Sequence, residues 1–247
     1  MKLELLDAYN IRARLSASII LLAPIAVTTF LCFDEINTFA SSAVFIALLL
    51  AFTNYIPILL RRVYGFKQYS VNYAVEFLMP NDTTIDSISK KRYYDTLTKI
   101  DDSFALFHTP NDSAEFKKCC ESAVIYLKSH TRKDHLVQEE NINYGFCRNL
   151  LRSKYIGIML CFALCTIIAV CSFVKYESFS EISTSHYFAF ASNAFMMLFW
   201  CIGVTKRTLD NTAKTYAKTL LAAIDTLKNN PEFVRDTIDF FSSAERI

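Results

Sequence analysis

The chain has 247 residues, a formal net charge of +2 and a hydrophobic content of 53%. A charge so near zero gives no field that would attract nucleic acid, and so many apolar residues are unusual for a soluble domain. The apolar residues are concentrated in four blocks, 16–33, 41–60, 155–174 and 187–205, and no block contains Asp, Glu, Lys or Arg. Since about 20 apolar residues let an α-helix cross a bilayer, we predict an all-α membrane protein with four spans in two transmembrane hairpins.

The first hairpin and the segment before it occupy residues 1–60. We expect the first block to be retained as a helix, because it is long, lacks a small-x-small cleavage pattern and is followed at once by a second span. Small side chains recur every four residues in the second block, a spacing that lets helices approach closely. They are Ala43, Ala47 and Ala51, and the same block contains the polar residue Asn54.

Residues 61–154 form an insert between the hairpins, and its patterns indicate helices without any sheet signal. Pro80 breaks the chain, and capping residues follow at 82–86 and again at 111–113. A last helix is predicted to begin near Glu139 and to run unbroken into the third span. The expected apolar faces of the two capped helices comprise Ile85, Ile88, Leu97 and Ile100 in one and Phe116, Cys120, Ala123, Leu127 and His130 in the other.

The second hairpin, residues 155–205, contains a second series of small residues and a buried amide. The small residues are Gly157, Cys161, Cys165 and Ala169. Both series fit either packing within one bundle or a seam between copies. Asn193, next to Ser192, must find a partner in hydrocarbon, either on a neighbouring helix or in pore water. One protomer with four spans has little room for a channel, so a pore would need several copies around an axis.

The carboxy-terminal tail, residues 206–247, shows the spacing of a coiled coil. It is expected to continue the fourth span without a break. From Leu209 onward its apolar residues step by four and three alternately, as positions a and d of a heptad do. The oligomerisation residues that this spacing predicts are Ala213, Tyr216, Leu220, Ala223 and Leu227.

The basic residues predict the orientation of the chain in the membrane. Lys and Arg precede the first block, follow the second, precede the third and follow the fourth, whereas the two short turns contain acidic residues and only one base, Lys175. Because positive charge stays on the cytoplasmic side, both termini, the insert and the tail are predicted to lie inside. Of the eight cysteines, only Cys32 and Cys171 then approach the outer face, where they could form a disulfide or, more commonly, pack as small apolar residues.

Motifs that would carry catalysis are missing from the sequence. The chain contains no glycine-rich phosphate loop, no HExxH, no paired CxxC and no GxSxG. Cys119, Cys120, His130 and His135 resemble a zinc set only in composition, because neighbouring residues on a helix diverge by about 100°. We therefore expect no enzyme, no metal and no cofactor.

The stretch EENINYGFCRNLLRSKYIGI, residues 139–158, is where the chain is predicted to enter the membrane at its inner surface. Its acidic start suits a helix amino terminus, its bases suit headgroup phosphates, and its aromatic rings suit the interface. The inner-interface motif comprises Asn141, Tyr144, Gly145, Phe146, Arg148 and Asn149. Anchoring at the interface and helix packing account for most of these residues. They do not account for the asparagines, which we expect to bond either to the insert or to a ligand.

Two stretches resemble the signature stretches of a family of bacterial four-span inner-membrane proteins. They are PNDTTIDSISKKRYY and EENINYGFCRNL, and the second resembles the pattern ENxxYGFxRNLxxxK. Cys147 stands where that family would have a more polar residue. The resemblance covers residues 60–160 and implies no enzyme. Four-span proteins of this size also occur in bacterial anti-phage systems, the Kiwa type among them, as pore-forming effectors or as anchors.

Two functions fit these observations. The first is an oligomeric inner-membrane effector, a gated pore or membrane-disrupting subunit of a defence-type system that its cytoplasmic domain controls. The alternative is a non-conducting anchor or scaffold that recruits a soluble cytoplasmic partner. Both imply contact with membrane lipid and a homo-oligomer, and neither implies binding of nucleic acid.

Overall fold

A computed structural model of the chain describes residues 10–32, 72–176 and 181–227. Every regular element in these three ranges is a helix, and no strand occurs in them. The predicted second span, with Asn54 and the series Ala43, Ala47 and Ala51, lies outside the described residues.

The helices follow one another in chain order, with short π- and 3₁₀-helical turns between some of them. A π-helical turn at Asn10–Leu15 leads into the first α-helix, a 3₁₀ helix covers Asp102–His108, and a second π-helical turn covers Phe199–Gly203. The α-helices are α1 (Ser16–Cys32), α2 (Tyr73–Leu78), α3 (Ser87–Ile100), α4 (Ala114–His130), α5 (His135–Lys175), α6 (Thr184–Leu198), α7 (Lys206–Ala222) and α8 (Ile224–Leu227).

Two of the described helices are long and apolar enough to cross a membrane. They are Arg12–Cys32, which contains α1, and the 41-residue helix α5. A third candidate is the bent pair formed by Thr184–Gly203 and Lys206–Leu227. For the described residues, the prediction of a helical protein with helices long and apolar enough to span a membrane is thus confirmed, while the four spans and their arrangement in two hairpins stay predictions.

The chain divides into two compact units. One contains Met1–Tyr69 with Ile142–Asp210, and its described part is called the bundle unit below. The other contains Ser70–Asn141 with Asn211–Ile247, and its described part is called the insert unit. Helices α5 and α7 each begin in one unit and end in the other.

The core of the bundle unit is small and is centred on the single tryptophan of the chain. Trp200 and Cys161 are fully buried, and Ala17, Leu21 and Leu150 pack in the same cluster. Residues of α1, α5 and the α6 end therefore meet at one point. Many other large apolar residues of these helices are exposed or half-buried, as expected for side chains that face lipid.

The helices of the insert unit begin where capping chemistry places them. The Asp86 side chain accepts a hydrogen bond from the Ser89 amide at 2.8 Å, and the Ser113 hydroxyl accepts one from the Phe116 amide at 3.1 Å. Asp134 caps α5 in the same way, with its carboxylate 2.9 Å from the Leu136 amide nitrogen. These interactions satisfy amides that have no partner within a helix.

Several finer predictions for the insert were wrong. Helix α5 is unbroken into the apolar stretch, as predicted, but it begins at His135 rather than near Glu139 because Asp134 supplies the cap. Ile88 is 79% exposed and His130 is also exposed, so neither belongs to an apolar face. Tyr94 takes the buried position instead and stacks on Phe107 at 5.1 Å between ring centroids.

The predicted continuity between the fourth block and the tail was also wrong. Helix α6 ends in the π-helical turn Phe199–Gly203, Val204 has extended backbone angles, and α7 starts at Lys206. The chain bends by 58° at this break. The Thr205 hydroxyl accepts a hydrogen bond from the Thr208 amide at 3.2 Å, which starts the new helix.

Candidate functional site

Residues of the stretch EENINYGFCRNLLRSKYIGI, 139–158, meet the start of α1 and the break after α6 within the bundle unit. We call this place the junction and define it by Asn149, Lys154 and Gly157 of α5, together with Ala13 and the segment 200–204. Every contact described at the junction lies within the bundle unit.

Asn149 attaches the beginning of the first membrane helix to α5. Its side chain is 9% exposed, and its amide nitrogen donates a hydrogen bond of 2.9 Å to the carbonyl oxygen of Ala13. The acceptor lies in the π-helical turn that precedes α1. Asn149 therefore fixes the start of this helix against α5 through a side-chain hydrogen bond to its backbone.

Other residues of the inner-interface motif pack on α5 itself or beside it. The Arg148 guanidinium lies over the Tyr144 ring at 5.3 Å from its centroid. Gly145 is buried, and Phe146 packs against the cluster around Trp200. Asn141 is half-buried at the last position of the insert unit. The motif thus contributes a packed helix surface and one interhelical hydrogen bond.

Lys154 bonds to the segment in which the chain breaks between α6 and α7. Its ammonium group donates hydrogen bonds to two carbonyl oxygens, those of Cys201 at 3.0 Å and Val204 at 2.8 Å. Both acceptors belong to the π-helical turn or its end, where carbonyls lose their normal partners. The sequence pattern suggested a phosphate contact for this lysine, and the observed contacts are with backbone carbonyls instead.

Gly157 makes room for the tryptophan of the same segment. A Cβ atom at position 157 would overlap with the indole of Trp200, which is fully buried. The position therefore requires glycine for packing. The indole nitrogen is buried and has no hydrogen-bond partner among the described residues. The sequence contains one glycine in the series of small residues and one tryptophan, but no local pattern in it pairs the two.

Asn193 bonds within its own chain. Its amide nitrogen donates to the Thr28 hydroxyl at 2.7 Å and to the Ala189 carbonyl oxygen at 2.8 Å, and the side chain is 0% exposed. The contact joins α6 to α1. Of the two alternatives for Asn193, the interhelical hydrogen bond is the one that the structure contains.

The remaining seam candidates of the second hairpin differ in their surroundings. Cys161 is fully buried, and the Cys165 sulfur lies 3.9 Å from the Phe190 carbonyl oxygen of α6. Ser192 is half-buried, and Ala169 is exposed. Within one chain, the series of small residues is therefore packed at its Gly157 end and exposed at its Ala169 end.

The face predicted for oligomerisation is used largely inside the chain. Leu220, Ala223 and Leu227 are buried in the hydrophobic core of the insert unit, together with Leu221 and Ile224. Ala213 and Tyr216 are half-buried. A seam between copies would compete with this core, because one leucine side chain cannot fill both.

The first resembling stretch, PNDTTIDSISKKRYY, builds the corner between α2 and α3. Lys90 is 6% exposed and donates to the carbonyl oxygens of Met79 at 2.7 Å and Asp82 at 2.5 Å. The Tyr94 hydroxyl donates to the Leu78 carbonyl oxygen, and Arg92 forms a bidentate ion pair with Asp225. Burial lowers the pKa of Lys90 and raises the pKa of Tyr94. These groups tie the corner together.

The adjacent cysteines of α4, which the sequence offered as metal ligands, are buried. Burial raises the pKa of the Cys120 thiol to about 12 and also raises that of Cys119, so both are poor nucleophiles. No group of three or more metal-binding side chains occurs in the ranges 10–32, 72–176 and 181–227. The strongest interactions at the junction are hydrogen bonds to backbone, which position helices.

The described residues form an α-helical protein with two compact units and with two or three helices long and apolar enough to cross a membrane. Comparison with known protein families, with curated proteins and with solved structures finds no match. The resemblance of the two stretches to a bacterial inner-membrane family stays a prediction.

Proposed function

We propose that the protein is a multi-pass inner-membrane effector of bacteria whose cytoplasmic insert unit controls the state of its membrane bundle. In this proposal the chain has four spans, with both termini and the insert unit inside, as the distribution of basic residues supports. The bundle conducts ions or disrupts the membrane when several copies assemble and the insert unit receives its signal.

The observation that carries the proposal is the pair of hydrogen bonds from Lys154 to the break. Helix α7 runs from this break into the core of the insert unit, where Leu220 and Leu221 are fully buried. A movement of α7 would pull on Val204 and must either carry α6 along or break the contact with Lys154. A protein that only anchors a partner would not need a lysine bonded to the segment between α6 and α7.

The energy of this contact is in the range that a ligand can overcome. Hydrogen bonds to charged groups contribute about 1.5–3 kcal/mol each, and less where water competes. Coupling free energies between a ligand site and a distant site are about 1–3 kcal/mol. A signal bound to the insert unit could therefore release the break without unfolding either unit.

The proposal can be tested with lysine variants in cells. Lys154→Met removes the donors, so we expect membrane depolarisation in the absence of any signal, read with a potential-sensitive dye. Lys154→Arg keeps the donors and should stay close to the wild type. Lys175→Met changes an exposed lysine at the other end of α5 and serves as the control. Depolarisation equal to the wild type in correctly inserted Lys154→Met would contradict control through the break.

A non-conducting anchor is the second candidate, and a specific observation favours it. Asn193, the residue best suited to line a pore, has its amide nitrogen fully engaged inside one chain by Thr28 and Ala189. If the anchor is correct, gentle extraction followed by native mass spectrometry should show a stoichiometric soluble protein on the complex. A ring of identical chains with no other protein would favour the effector.

A further inference from the structure

We propose that the groove between the carboxy-terminal end of α5 and the start of α6 holds one membrane phospholipid. An acyl chain would lie along the groove, and the ester and phosphate oxygens would lie at His186. The groove encloses a cavity of about 660 Å³, and small-molecule sites in proteins usually measure about 300–1,000 Å³. All residues that line this cavity belong to the bundle unit. The inference rests on membrane insertion of α5 and α6 and is independent of control through Lys154.

Two contacts between neighbouring parts of the chain mark the ends of the groove. The Cys165 sulfur lies 3.9 Å from the Phe190 carbonyl oxygen. The Tyr176 and His186 rings meet edge to face, with 5.9 Å between their centroids. The residues that line the cavity come from 168–176 and 182–190, which lie next to these two contacts. The groove is therefore a place where α5 and α6 are joined at both ends and leave space along their length.

The sequence places the groove in the hydrocarbon and its polar end at the membrane interface. The apolar block of α5 ends at 174 and the next block begins at 187, so Tyr176 and His186 lie at the boundary. Rings with a polar atom are favoured at that level. Ile168 and Tyr176 are about 12 Å apart along the helix axis, and one leaflet of the hydrocarbon core is about 15 Å thick. The groove thus has a suitable length for an acyl chain of that leaflet.

His186 supplies a polar group at one end of a lining that is otherwise almost wholly apolar. Its Nδ1 atom is buried and has no hydrogen-bond partner among the described residues. A buried polar atom without a partner is unfavourable, and a histidine with its proton on Nδ1 can donate to an ester or phosphate oxygen. The groove therefore fits a molecule with a long apolar chain and oxygen acceptors at one end, which is the chemistry of a phospholipid.

A helix from a second copy fits the same groove less well than a lipid chain does. An α-helix with its side chains is about 10 Å wide, so a 12 Å length of it occupies roughly 900 Å³, which is more than the cavity offers. An acyl chain is narrower and flexible enough to follow the rings of Phe173 and Phe190. It would also cover Ala169, the exposed end of the series of small residues.

The test compares the same substitution at two exposed alanines of α5. The full chain is extracted in mild detergent and washed, and the retained lipid is identified by native mass spectrometry. We expect one phospholipid per chain in the wild type and in Ala163→Phe, whose site does not line the cavity. Ala169→Phe fills the groove and should lose the lipid. Equal retention in the two variants, or no retained phospholipid in the wild type, would overturn the proposal.

A second variant tests the polar end of the groove and keeps the proposal falsifiable if Ala169→Phe does not fold. His186→Phe keeps a ring of similar size but removes the hydrogen-bond donor. When the delipidated protein is titrated with phosphatidylglycerol, His186→Phe should bind about tenfold more weakly than the wild type, the effect of one hydrogen bond. Equal affinities would contradict the role of His186 and with it the proposed position of the lipid.

The same spectra identify any other occupant of the groove. A retained mass that belongs to an isoprenoid quinone rather than to a phospholipid would overturn the proposal. So would a lipid-free oligomer that Ala169→Phe dissociates and Ala163→Phe does not, because a second copy would then cover the groove. The depolarisation test of Lys154→Met is read separately from these outcomes. Its control, Lys175→Met, remains valid because Lys175 does not line the cavity.

Discussion

At the residue scale, the fit of Trp200 against Gly157 determines how closely α5 approaches the end of α6. The indole is the largest fully buried side chain of the described residues, and its neighbour has no side chain at all. A close-packed protein core tolerates neither a missing nor an extra carbon atom well, because the surrounding atoms cannot move independently.

Gly157→Ala should therefore destabilise the bundle unit by about 1–3 kcal/mol, the usual effect of overpacking. The thermal unfolding midpoint of the detergent-solubilised protein is the measurement. The double variant Gly157→Ala with Trp200→Phe should lose less stability than the sum of the two single variants, because the smaller phenyl ring leaves room for the added methyl group. Ala163→Ser, at an exposed site of the same helix, is the matched control. Additive effects would show that the two side chains do not share one space.

The contact between Asn193 and Thr28 makes a second prediction at this scale. Asn193→Leu and Thr28→Val each remove one partner of a hydrogen bond buried between helices. Such bonds contribute about 0.6–1.7 kcal/mol within membranes. A double-mutant cycle on unfolding stability should give a coupling free energy in that range. A coupling near zero, together with a loss of the ion leak of Lys154→Met when Asn193→Leu is added, would instead favour the pore alternative.

At the element scale, the corner between α2 and α3 contains buried groups whose ionisation opposes folding. Tyr94 is 7% exposed, and burial raises its pKa. Outside this corner, in α4, partial burial raises the pKa of Tyr126 to about 12. A phenol whose pKa is higher in the folded than in the unfolded state stabilises the fold fully below the unfolded pKa, about 10. That contribution is lost as the pH rises above 10.

Tyr94→Phe should accordingly lower stability at pH 8 by about 1 kcal/mol, through loss of the hydrogen bond to the Leu78 carbonyl. It should also flatten the decline in stability between pH 10 and the folded pKa. Lys90 titrates in both proteins, so its effect cancels in the comparison. Tyr155→Phe, at a residue that is 62% exposed, should change neither quantity. Equal alkaline slopes in Tyr94→Phe and the wild type would contradict burial of this phenol.

The elements also show which local signals could be used for prediction. Capping chemistry at Asp86 and Ser113 marks helix starts from sequence alone, because each cap needs only residues within one turn. The break after α6 could not be predicted, since apolar residues continue through it and its partner, Lys154, is 47 and 50 residues away along the chain. A hydrogen bond over such a separation leaves no local pattern.

At the scale of the whole molecule, the described part of the tail shares a core with the insert, and this changes the design of truncations. Removing 206–247 would take Leu220, Leu221 and Ile224 out of the insert unit, so it should unfold that unit rather than merely release a partner. Removing 228–247 leaves the described core intact. We expect the shorter truncation to keep the unfolding midpoint within a few degrees of the wild type. A large fall would show that the described core is not sufficient.

The coiled-coil interpretation of the tail illustrates what the sequence left ambiguous. A heptad spacing and an amphipathic core helix both place apolar residues at steps of three and four, so the pattern alone does not say which surface covers them. In the structure, the core of the insert unit covers Leu220 and Leu227. The membrane-spanning helices were easier to predict, because a long uncharged apolar stretch has few other structural uses.

The central claim is that Lys154 keeps the bundle closed, and ion flux through the purified protein in liposomes tests it most directly. The wild type and Lys154→Arg should be silent, whereas Lys154→Met should be permeable in the absence of any other component. Lys175→Met should behave as the wild type. Equal and negligible flux in all four proteins, each with an unchanged circular dichroism spectrum, would contradict the effector and leave the anchor as the better account.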